Sequence, residues 1–525
     1  MLFLPSLGLL AALVSASNIT NTTTLGAKYV KLDFAVSAGE SPALKAVRGG
    51  FLKRGREEVE ISGEDTFYAA TLKIGSGQAE NVVAIDTGSS DLWVMETNVV
   101  CIYPNSNSSV NERLDEVSPH FLGAIANESP FENKQKRADT PSIVVSGICT
   151  DDGSFSMAES DTFHANDTLP PFFISYEDLS FAEGVWGSDN IVIGTTNVTD
   201  CNFAVANVSS SDCGIFGIGL VANEASVTND LTSFVYENLP MRLKSSGDID
   251  KVMYSLYLDK ADYLSGSVVF GGVNHAKYSG QLKTVPIVNI DPKHNDKPIE
   301  FHIVLNSVTL ESPSQNVTVF DAPIAAVLDS GTSLTYLPDK IFKSLGKLLH
   351  GDLGSEGFYR VSCSYKTSAI TAKFNFSGAI INVPMSDLVL TLGSQCYVGV
   401  GLVSDLANSP VYTALLGDNF LRNAYVVYDL EDYEISLAQV KFSSIEDIDT
   451  VSSAVPLAVQ ALYYSSTALA TSLNPKSTHL NLPDLKKSQA SISGCLARSI
   501  CWRFAVPCLC LREVMIARCG SKAVL

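Results

Sequence analysis

Val83-Ala84-Ile85-Asp86-Thr87-Gly88-Ser89-Ser90 and Val327-Leu328-Asp329-Ser330-Gly331-Thr332-Ser333 carry the same short pattern in two distant parts of the chain. In each copy an apolar run leads into an aspartate, a hydroxyl residue, a glycine and further hydroxyl residues. The apolar run predicts a buried strand, and glycine permits a tight turn after it. Each copy therefore places one carboxylate in a loop at the end of a strand, and each of two similar halves of the chain contains one copy.

Two such loops placed face to face would bring together two carboxyl groups that can share one proton. This arrangement can activate water against a peptide bond, and small hydroxyls can donate hydrogen bonds to the carboxylates. One Asp-Ser/Thr-Gly sequence is common in turns, whereas two copies behind buried strands are rare. A second repeated piece, Ile215–Gly219 and Leu415–Asp418, has a glycine that suits a strand crossing close under another backbone.

The chain resembles pepsin-type aspartic proteases of the fungal yapsin kind over roughly residues 64–443. The stretches that carry the resemblance are Phe67-Tyr68-Ala69, Asp86–Val94, Gly266–Gly272 and Leu416–Leu421. The resemblance implies an all-β, bilobal pepsin-like fold with a catalytic cleft between two β-rich lobes. It also implies hydrolysis of polypeptides by Asp86 and Asp329, inhibition by pepstatin-type compounds, and no metal or cofactor.

The same resemblance assigns support of the acid pair to the residues around it. These residues are Thr87, Gly88, Ser89, Ser330, Gly331 and Thr332. Thr87 and Ser330 would bridge the two loops, while Ser89 and Thr332 would hold the outer carboxylate oxygens. The alternative is that these are ordinary turn hydroxyls.

Residues 174–184 match the flap, a hairpin that covers the cleft in this family. Tyr176 would close over the substrate and hydrogen-bond toward Trp93. Tyr176, Asp178 and Ser180 would share one face of a strand, so Asp178 would face the pocket for the residue before the cut bond. By resemblance, an aspartate here favours lysine or arginine in that pocket. The alternative is a solvated aspartate at the flap tip.

The start of the chain predicts secretion and activation by cleavage. Residues 1–16 form an apolar signal peptide with a small-residue cleavage site. Residues 17–54 are expected to be a propeptide that ends at Lys53-Arg54 and inhibits the enzyme, its basic side chains pairing with active-site carboxylates. An uncut surface pair is the alternative. Residues 55–255 and 256–443 are then the two lobes.

Residues 102–148 form a polar insertion in the first lobe that contains Lys136-Arg137. By resemblance, this loop can be cut into two chains that a Cys101–Cys149 disulfide would hold together; an uncut loop is the alternative. The resemblance also implies a Cys363–Cys396 disulfide. Cys201–Cys213 is a third candidate pair, because a hairpin turn near Asn207 would place the two thiols across strands.

The composition and the sequons indicate which binding partners and which cellular location to expect. A formal net charge of −20 argues against nucleic acid, and a hydrophobic content of 46% suits a globular, β-rich protein. We expect it to be a monomer. Helical patterns are few, Lys340–Leu349 being the clearest. Sequons beyond the predicted propeptide favour a secreted or cell-surface glycoprotein: Asn107, Asn127, Asn166, Asn197, Asn207, Asn316 and Asn375.

Residues 444–525 are expected to be a disordered tail. Ser452–Ser472 resembles a Ser/Thr-containing stalk, and a basic, cysteine-rich stretch follows it. Arginines interrupt every apolar run there, so a lipid-anchor signal is not supported. Two alternative functions remain open: an acid protease of broad specificity, and a non-catalytic peptide-binding or cell-wall glycoprotein on the same scaffold.

Overall fold

Alternating apolar and polar residues make most of the described chain β-strand. The computed structural model describes residues 28–38, 66–104, 143–145, 149–176, 180–211, 213–228, 234–260, 265–354, 357–403 and 412–473. Within these residues the strands, numbered in chain order, are β1 Val30–Ala38, β2 Thr66–Ile74, β3 Ala79–Asp86, β4 Leu92–Pro104, β5 Ile143–Val145, β6 His164–Ala165, β7 Phe172–Ser175, β8 Phe181–Ile193, β9 Thr196–Ser209, β10 Gly214–Gly217, β11 Met253–Leu258, β12 Ser265–Phe270, β13 Gly272–Asn274, β14 Tyr278–Pro286, β15 His302–Ser312, β16 Gln315–Leu328, β17 Thr335–Leu337, β18 Asp352–Leu353, β19 Tyr359–Val361, β20 Thr371–Phe376, β21 Ala379–Pro384, β22 Val389–Leu392, β23 Gln395–Val398, β24 Val400–Leu402, β25 Thr413–Leu416, β26 Ala424–Asp429, β27 Glu434–Val440, β28 Ile448–Thr450 and β29 Val459–Gln460. The predicted all-β class is confirmed.

Helices are short in the same residues. The α-helices are α1 Ala225–Thr228, α2 Leu239–Ser245, α3 Asp339–Leu348 and α4 Asp418–Leu421, and 3-10 turns span Val221–Asn223, His275–Lys277 and Cys363–Thr367. Helix α3 confirms the predicted helix to within one residue at each end. It buries Ile341, Phe342 and Leu345 on one face, as an amphipathic helix does. None of the helices described is long and apolar enough to span a membrane.

The largest sheet in the described residues runs through both halves of the chain. Its order is β29-β14-β27-β26-β11-β12-β1-β2-β3-β10-β4-β9-β8-β6, with β5 on β4 and β7 on β8. A second sheet has the order β21-β20-β15-β16-β25-β17-β24. A smaller sheet has the order β18-β19-β23-β22, and β13 pairs with β28. The two Asp-containing loops follow β3, in the first sheet, and β16, in the second.

The two halves support their Asp loops in the same way. Strand β10 lies parallel to β3, with Gly217 opposite Asp86, and β25 lies parallel to β16, with Leu416 opposite Leu328. A Cβ on Gly217 would lie 2.5 Å from the backbone nitrogen of Asp91. A Cβ on Gly417 would lie 2.2 Å from the carbonyl oxygen of Thr332. Only glycine fits these crossings, as the repeated motifs predicted.

Part of the predicted propeptide belongs to the large sheet. Strand β1 lies between β12 and β2, antiparallel to both. Val30, Leu32 and Phe34 are buried, and the Phe34 ring meets Tyr68 edge-on at 5.4 Å. A Cβ on Gly266 would lie 2.3 Å from the Phe34 ring, so this glycine makes room for it. The strand is thus packed into the protein core.

The described lysines of the propeptide do not meet the two predicted catalytic aspartates. Lys28 pairs with Asp250 at 2.6 Å, and Lys31 pairs with Glu446 at 3.3 Å. The predicted pairing with active-site carboxylates is therefore wrong for these two residues, because β1 places them along the large sheet. Lys53 and Arg54 lie outside the described residues.

Residues 444–473 are ordered, so the prediction of a disordered stalk is wrong for this stretch. Strand β28 pairs with β13, and β29 runs parallel to β14. Val451, Ala461 and Leu473 are buried, and the Lys340 ammonium donates a 2.8 Å hydrogen bond to the carbonyl of Leu473. The serine and threonine content predicted a stalk and gave no sign of these three buried contacts. The rest of the predicted tail lies outside the described residues.

Candidate active site

The two aspartates predicted to be catalytic meet where the ends of β3 and β16 come together. Asp86 and Asp329 are 6% and 7% exposed, and their carboxyl groups face each other across Gly88 and Gly331. A Cβ on Gly88 would lie 2.7 Å from Oδ1 of Asp329, and one on Gly331 would lie 2.5 Å from Oδ1 of Asp86. Each loop therefore needs its glycine to let the carboxyl group of the other loop approach.

The two loops are joined by hydrogen bonds that almost mirror each other. The Thr87 hydroxyl donates to the carbonyl of Leu328 at 2.8 Å, and the Ser330 hydroxyl donates to the carbonyl of Ile85 at 2.8 Å. Each hydroxyl also accepts from the backbone of the other loop, at 3.0 Å from the Ser330 nitrogen and 3.3 Å from the Thr87 nitrogen. These four hydrogen bonds fix the two loops relative to each other.

Each carboxylate is also held by its own loop. The Gly88 nitrogen donates to Oδ1 of Asp86 at 2.7 Å, and the Gly331 nitrogen donates to Oδ1 of Asp329 at 2.9 Å. On the outer side, the Ser89 hydroxyl donates to Oδ2 of Asp86. The Thr332 hydroxyl donates to Oδ2 of Asp329 at 2.5 Å. The Oδ1 atoms are therefore the ones turned toward the opposite carboxyl group.

Electrostatics favour one shared proton on this pair. Burial, followed by the neighbouring Asp329 carboxylate, raises the pKa of Asp86 to about 8. Hydrogen bonds from Ser89 and Gly88 oppose the rise but do not cancel it. Two carboxyl groups this close cannot both ionise cheaply, so one proton stays with the pair. Such a pair can accept a proton from water with one carboxyl group while the other donates.

The described part of the flap closes over the same site. Strands β7 and β8 form its arms, and the Tyr176 nitrogen donates to the carbonyl of Ser180 at 2.8 Å. The Trp93 indole donates a 2.8 Å hydrogen bond to the Tyr176 hydroxyl. Asp178 lies outside the described residues.

A buried acidic cluster behind the first loop was missed from the sequence. The Tyr236 hydroxyl and the Ala225 nitrogen each donate to the Asp91 carboxyl at 2.8 Å. The Tyr236 nitrogen donates to Glu224 at 3.2 Å. Burial raises the pKa of Asp91 to about 6 and that of Glu224 to about 9. Asp91 lies next to the first motif, but nothing local indicates its partners.

The structure contains two of the three predicted disulfides. Cys101–Cys149 and Cys363–Cys396 have S–S distances of 2.04 Å and 2.06 Å. The prediction of a Cys201–Cys213 disulfide is wrong, because the two buried cysteines are not bonded to each other. Strand β9 runs unbroken from Thr196 to Ser209, without the predicted turn near Asn207. At about 3.3 Å per residue, Cys201 lies roughly 26 Å from the end of that strand.

The remaining predicted sites divide between exposed positions and undescribed ones. Asn166, Asn197, Asn207 and Asn316 are exposed, and Asn375 is half-buried. The sequons at Asn107 and Asn127 and the basic pair Lys136-Arg137 lie outside the described residues. Strand β5 pairs with the end of β4, so the two ends of the predicted insertion meet. Among the residues described, no cluster of three His, Cys, Asp or Glu side chains forms a metal site.

Two β-rich halves that each supply one aspartate to a proton-sharing pair define the class of aspartic proteases. The sequence profile described as eukaryotic aspartyl protease matches residues 67–440, and the chain belongs to this family. It is an aspartic-type endopeptidase, as the motifs predicted.

The chain is similar in sequence to fungal aspartic proteases over most of its length. It is 35% identical to Aspartic proteinase 3 of Saccharomyces cerevisiae over 477 residues, which cover 84% of this chain and 82% of that protein. It is 36% identical to Secreted aspartic protease 9 of Candida albicans, over 82% of this chain and 88% of that protein. It is 34% identical to Aspartic proteinase yapsin-3 of Saccharomyces cerevisiae, over 84% and 78%.

The crystal structure of an aspartic proteinase from Irpex lacteus has the same fold. It superposes with a TM-score of 0.53 at 17% sequence identity and covers 79% of this chain and 98% of that chain. At this level of identity the match bears on architecture alone. It confirms the predicted bilobal pepsin-like fold.

Proposed function

We propose that Asp86 and Asp329 are the catalytic pair of this endopeptidase. The observation that carries the proposal is the close approach of two buried carboxyl groups from different halves: a Cβ on Gly331 would lie 2.5 Å from Oδ1 of Asp86 and 3.3 Å from Oδ1 of Asp329. The ionised carboxyl takes a proton from water, whose oxygen attacks the scissile carbonyl carbon. The protonated carboxyl donates to the carbonyl oxygen. When the tetrahedral intermediate collapses, the C–N bond breaks and the leaving nitrogen takes a proton from the pair.

The raised pKa of Asp86 sets the upper pH limit of this mechanism. Below about 8 the pair keeps its shared proton, and above it the proton is lost. Peptide hydrolysis should therefore fall as the pH rises through this value. The cause is the burial of the pair, so a substrate that further excludes water should move the limit upward.

Replacing either aspartate tests the assignment. Asp86→Asn and Asp329→Asn should each abolish cleavage of a mixed peptide library, since an amide cannot exchange the proton. Asp321→Asn is the matched control, because Asp321 is exposed on β16, the strand that leads to Asp329. Pepstatin-sensitive cleavage by Asp329→Asn at the wild-type rate would refute the assignment.

We further propose that the enzyme prefers lysine or arginine before the cut bond. Tyr176 and Ser180 pair across the flap at 2.8 Å, so the prediction that they share one face of a strand is wrong. The support is the place of Asp178 in the sequence between these two residues, and the hydrogen bond that holds Tyr176 to Trp93 beside the Asp86 loop. A carboxylate shielded by the flap pairs with a cationic side chain more strongly than an exposed one does. The net charge of −20 also favours cationic substrates.

The specificity is best tested with two peptides that differ only in lysine or norleucine before the cut bond. The wild-type enzyme should favour lysine in kcat/KM. Asp178→Ala should reduce that ratio at least roughly tenfold, which corresponds to about 1.4 kcal/mol. Asp178→Glu is the control that keeps the charge. An unchanged ratio in Asp178→Ala would refute the role while leaving the proposed mechanism intact.

We also propose that the protein is a secreted, glycosylated monomer made as a zymogen, acting at or beyond the cell surface. The apolar start, the exposed sequons and the disulfides support secretion. The place of β1 between β12 and β2 supports a folded propeptide. Mass spectrometry of the secreted protein should find a new amino terminus at Gly55; retention of residues 17–54 in active enzyme would argue against the zymogen.

The insertion offers a second cleavage site. The Cys101–Cys149 disulfide brackets residues 105–142, so a cut at Lys136-Arg137 would leave two linked chains. We propose this two-chain form as a processed state of the enzyme. It should separate into two bands on a denaturing gel only after reduction. A single band under both conditions would argue against it.

A further inference from the structure

Two buried tyrosines lie side by side behind the acid pair. Tyr254 on β11 and Tyr428 on β26 are directly opposite each other in the large sheet. Their rings stack with centroids 4.9 Å apart, and both residues are fully buried. Phe270 and Phe301 complete the aromatic cluster around them. By position and packing the two tyrosines are near equivalents.

Their hydroxyl groups differ sharply. The Tyr428 hydroxyl donates a 3.2 Å hydrogen bond to the carbonyl of Leu328. The Tyr254 hydroxyl is buried and has no hydrogen-bond partner among the described residues. Packing alone would be served equally well by phenylalanine at both positions. The bond from Tyr428 therefore marks the one hydroxyl of the two that can act on the Asp329 loop.

The acceptor of that bond occupies a central position in the site. Leu328 directly precedes Asp329, so its carbonyl lies in the peptide plane from which the Asp329 loop begins. The same carbonyl oxygen accepts from the Thr87 hydroxyl at 2.8 Å. A carbonyl oxygen has two lone pairs, so both donors can be accommodated. This peptide plane is thus held by the first Asp loop on one side and by the large sheet on the other.

We propose that Tyr428 is a positioning residue for the hydrolysis reaction, because its hydroxyl fixes the Leu328–Asp329 peptide plane and with it the Asp329 carboxyl group. The inference rests on Asp86 and Asp329 being the catalytic pair. Tyr428 touches neither the substrate nor the reacting atoms. It acts on the orientation of Asp329, so its loss should impair the chemical step and leave substrate binding unchanged.

The test compares Tyr428→Phe with Tyr254→Phe in activated enzyme whose active sites are titrated with pepstatin. Tyr428→Phe should lower kcat about fivefold, the rate equivalent of one ordinary hydrogen bond, with KM unchanged. Tyr254→Phe removes an equally buried hydroxyl from the stacked neighbour and should leave kcat and KM at wild-type values. The pepstatin titration gives the amount of competent enzyme in each assay, and melting temperatures show whether either substitution destabilises the fold.

Two outcomes would overturn the inference. One is a wild-type kcat in Tyr428→Phe; the other is an equal loss of kcat in the two variants, which would point to packing of the aromatic cluster. Failure of the catalytic assignment looks different, because Asp329→Asn would then keep its activity. A third outcome would also overturn the inference: if Tyr428→Phe does not fold while Tyr254→Phe titrates with pepstatin like the wild type, the Tyr428 hydroxyl serves folding and not the positioning of Asp329.

Discussion

The Thr87 hydroxyl donates a 2.8 Å hydrogen bond to the carbonyl of Leu328, although the two residues are 241 positions apart in sequence. The same hydroxyl oxygen accepts from the Ser330 nitrogen at 3.0 Å. One side chain thus satisfies a buried donor and a buried acceptor of the opposite loop. The geometry of the acid pair depends on this contact as well as on the pair itself.

Thr87→Val should damage both stability and catalysis. Valine keeps the shape of threonine but leaves the buried Ser330 N–H without its acceptor. An unsatisfied buried group costs about 1–3 kcal/mol, and the free energy of unfolding should fall by that amount. Because the loops lose their alignment, kcat should fall roughly tenfold or more. Thr87→Ser keeps the hydroxyl and should stay near wild type in denaturant unfolding and steady-state kinetics; equal loss in both variants would contradict this reasoning.

Gly88→Ala should separate the acid pair. The added Cβ would lie 2.7 Å from Oδ1 of Asp329, too close for either group to remain in place. A displacement of about 1 Å can cost roughly a hundredfold in rate, and kcat should fall by at least that factor. Gly77→Ala is the matched control, since a Cβ there has nothing within 4 Å. Wild-type turnover by Gly88→Ala would show that the carboxyl groups do not need this approach.

The local repeat explains why so much of the site could be read from sequence. Each half carries its aspartate, glycine and hydroxyl residues within one short segment, and a strand followed by a tight turn presents them together. The crossing strands were also predictable, because Gly217 and Gly417 must lie against another backbone. Nothing in either motif indicates Tyr428, whose role depends on a strand about 100 residues further along the chain.

The errors arise where long-range pairing decides the structure. Cys201 and Cys213 are close in sequence, yet β9 continues through Asn207 and carries them apart. Residues 444–473 contain many serines and threonines, but three buried apolar side chains and two strand pairings hold them on the body. Lys31 lies on β1 and Lys28 just before it, and from these positions along the large sheet they reach Glu446 and Asp250. Composition and spacing carry no information on these pairings.

The hydrogen bond between Trp93 and Tyr176 should hold the flap over the acid pair, and Tyr176→Phe and Trp93→Phe each test it. Trp93 is fully buried, and its indole N–H donates to the Tyr176 hydroxyl at 2.8 Å. Either substitution removes that bond, and kcat/KM should fall about five- to tenfold because the flap closes less often over the acid pair. The kcat/KM of the double variant should be close to that of the less active single variant. This corresponds to a coupling of about 1 kcal/mol in a double-mutant cycle. Effects that simply multiply would show that the two side chains act independently.

Folding stability should decrease as the pH rises, and Glu224 should account for part of the decrease. Burial raises the pKa of Glu224 from an ordinary value of 4.5 to about 9. Between these values the folded protein keeps a proton that the unfolded chain has lost, so the stabilisation is complete below the lower pKa and is lost as the pH approaches the upper one. The slope is at most about 1.4 kcal/mol per pH unit for one such group. Asp91, with its pKa raised to about 6, contributes only to the lower part of this window.

Glu224→Gln removes the titrating proton but keeps a polar side chain of the same shape. Its free energy of unfolding should therefore fall less steeply than that of wild type between pH 6.5 and 8.5, roughly the range in which Asp91 no longer contributes. Denaturant unfolding at several pH values measures the slope. Glu237→Gln, at an exposed carboxyl group on the same segment, should keep the wild-type slope. Parallel stability curves for wild type and Glu224→Gln would mean that Glu224 ionises in the folded protein at its ordinary pKa, and that the buried cluster behind Asp86 is more open to water than its packing indicates.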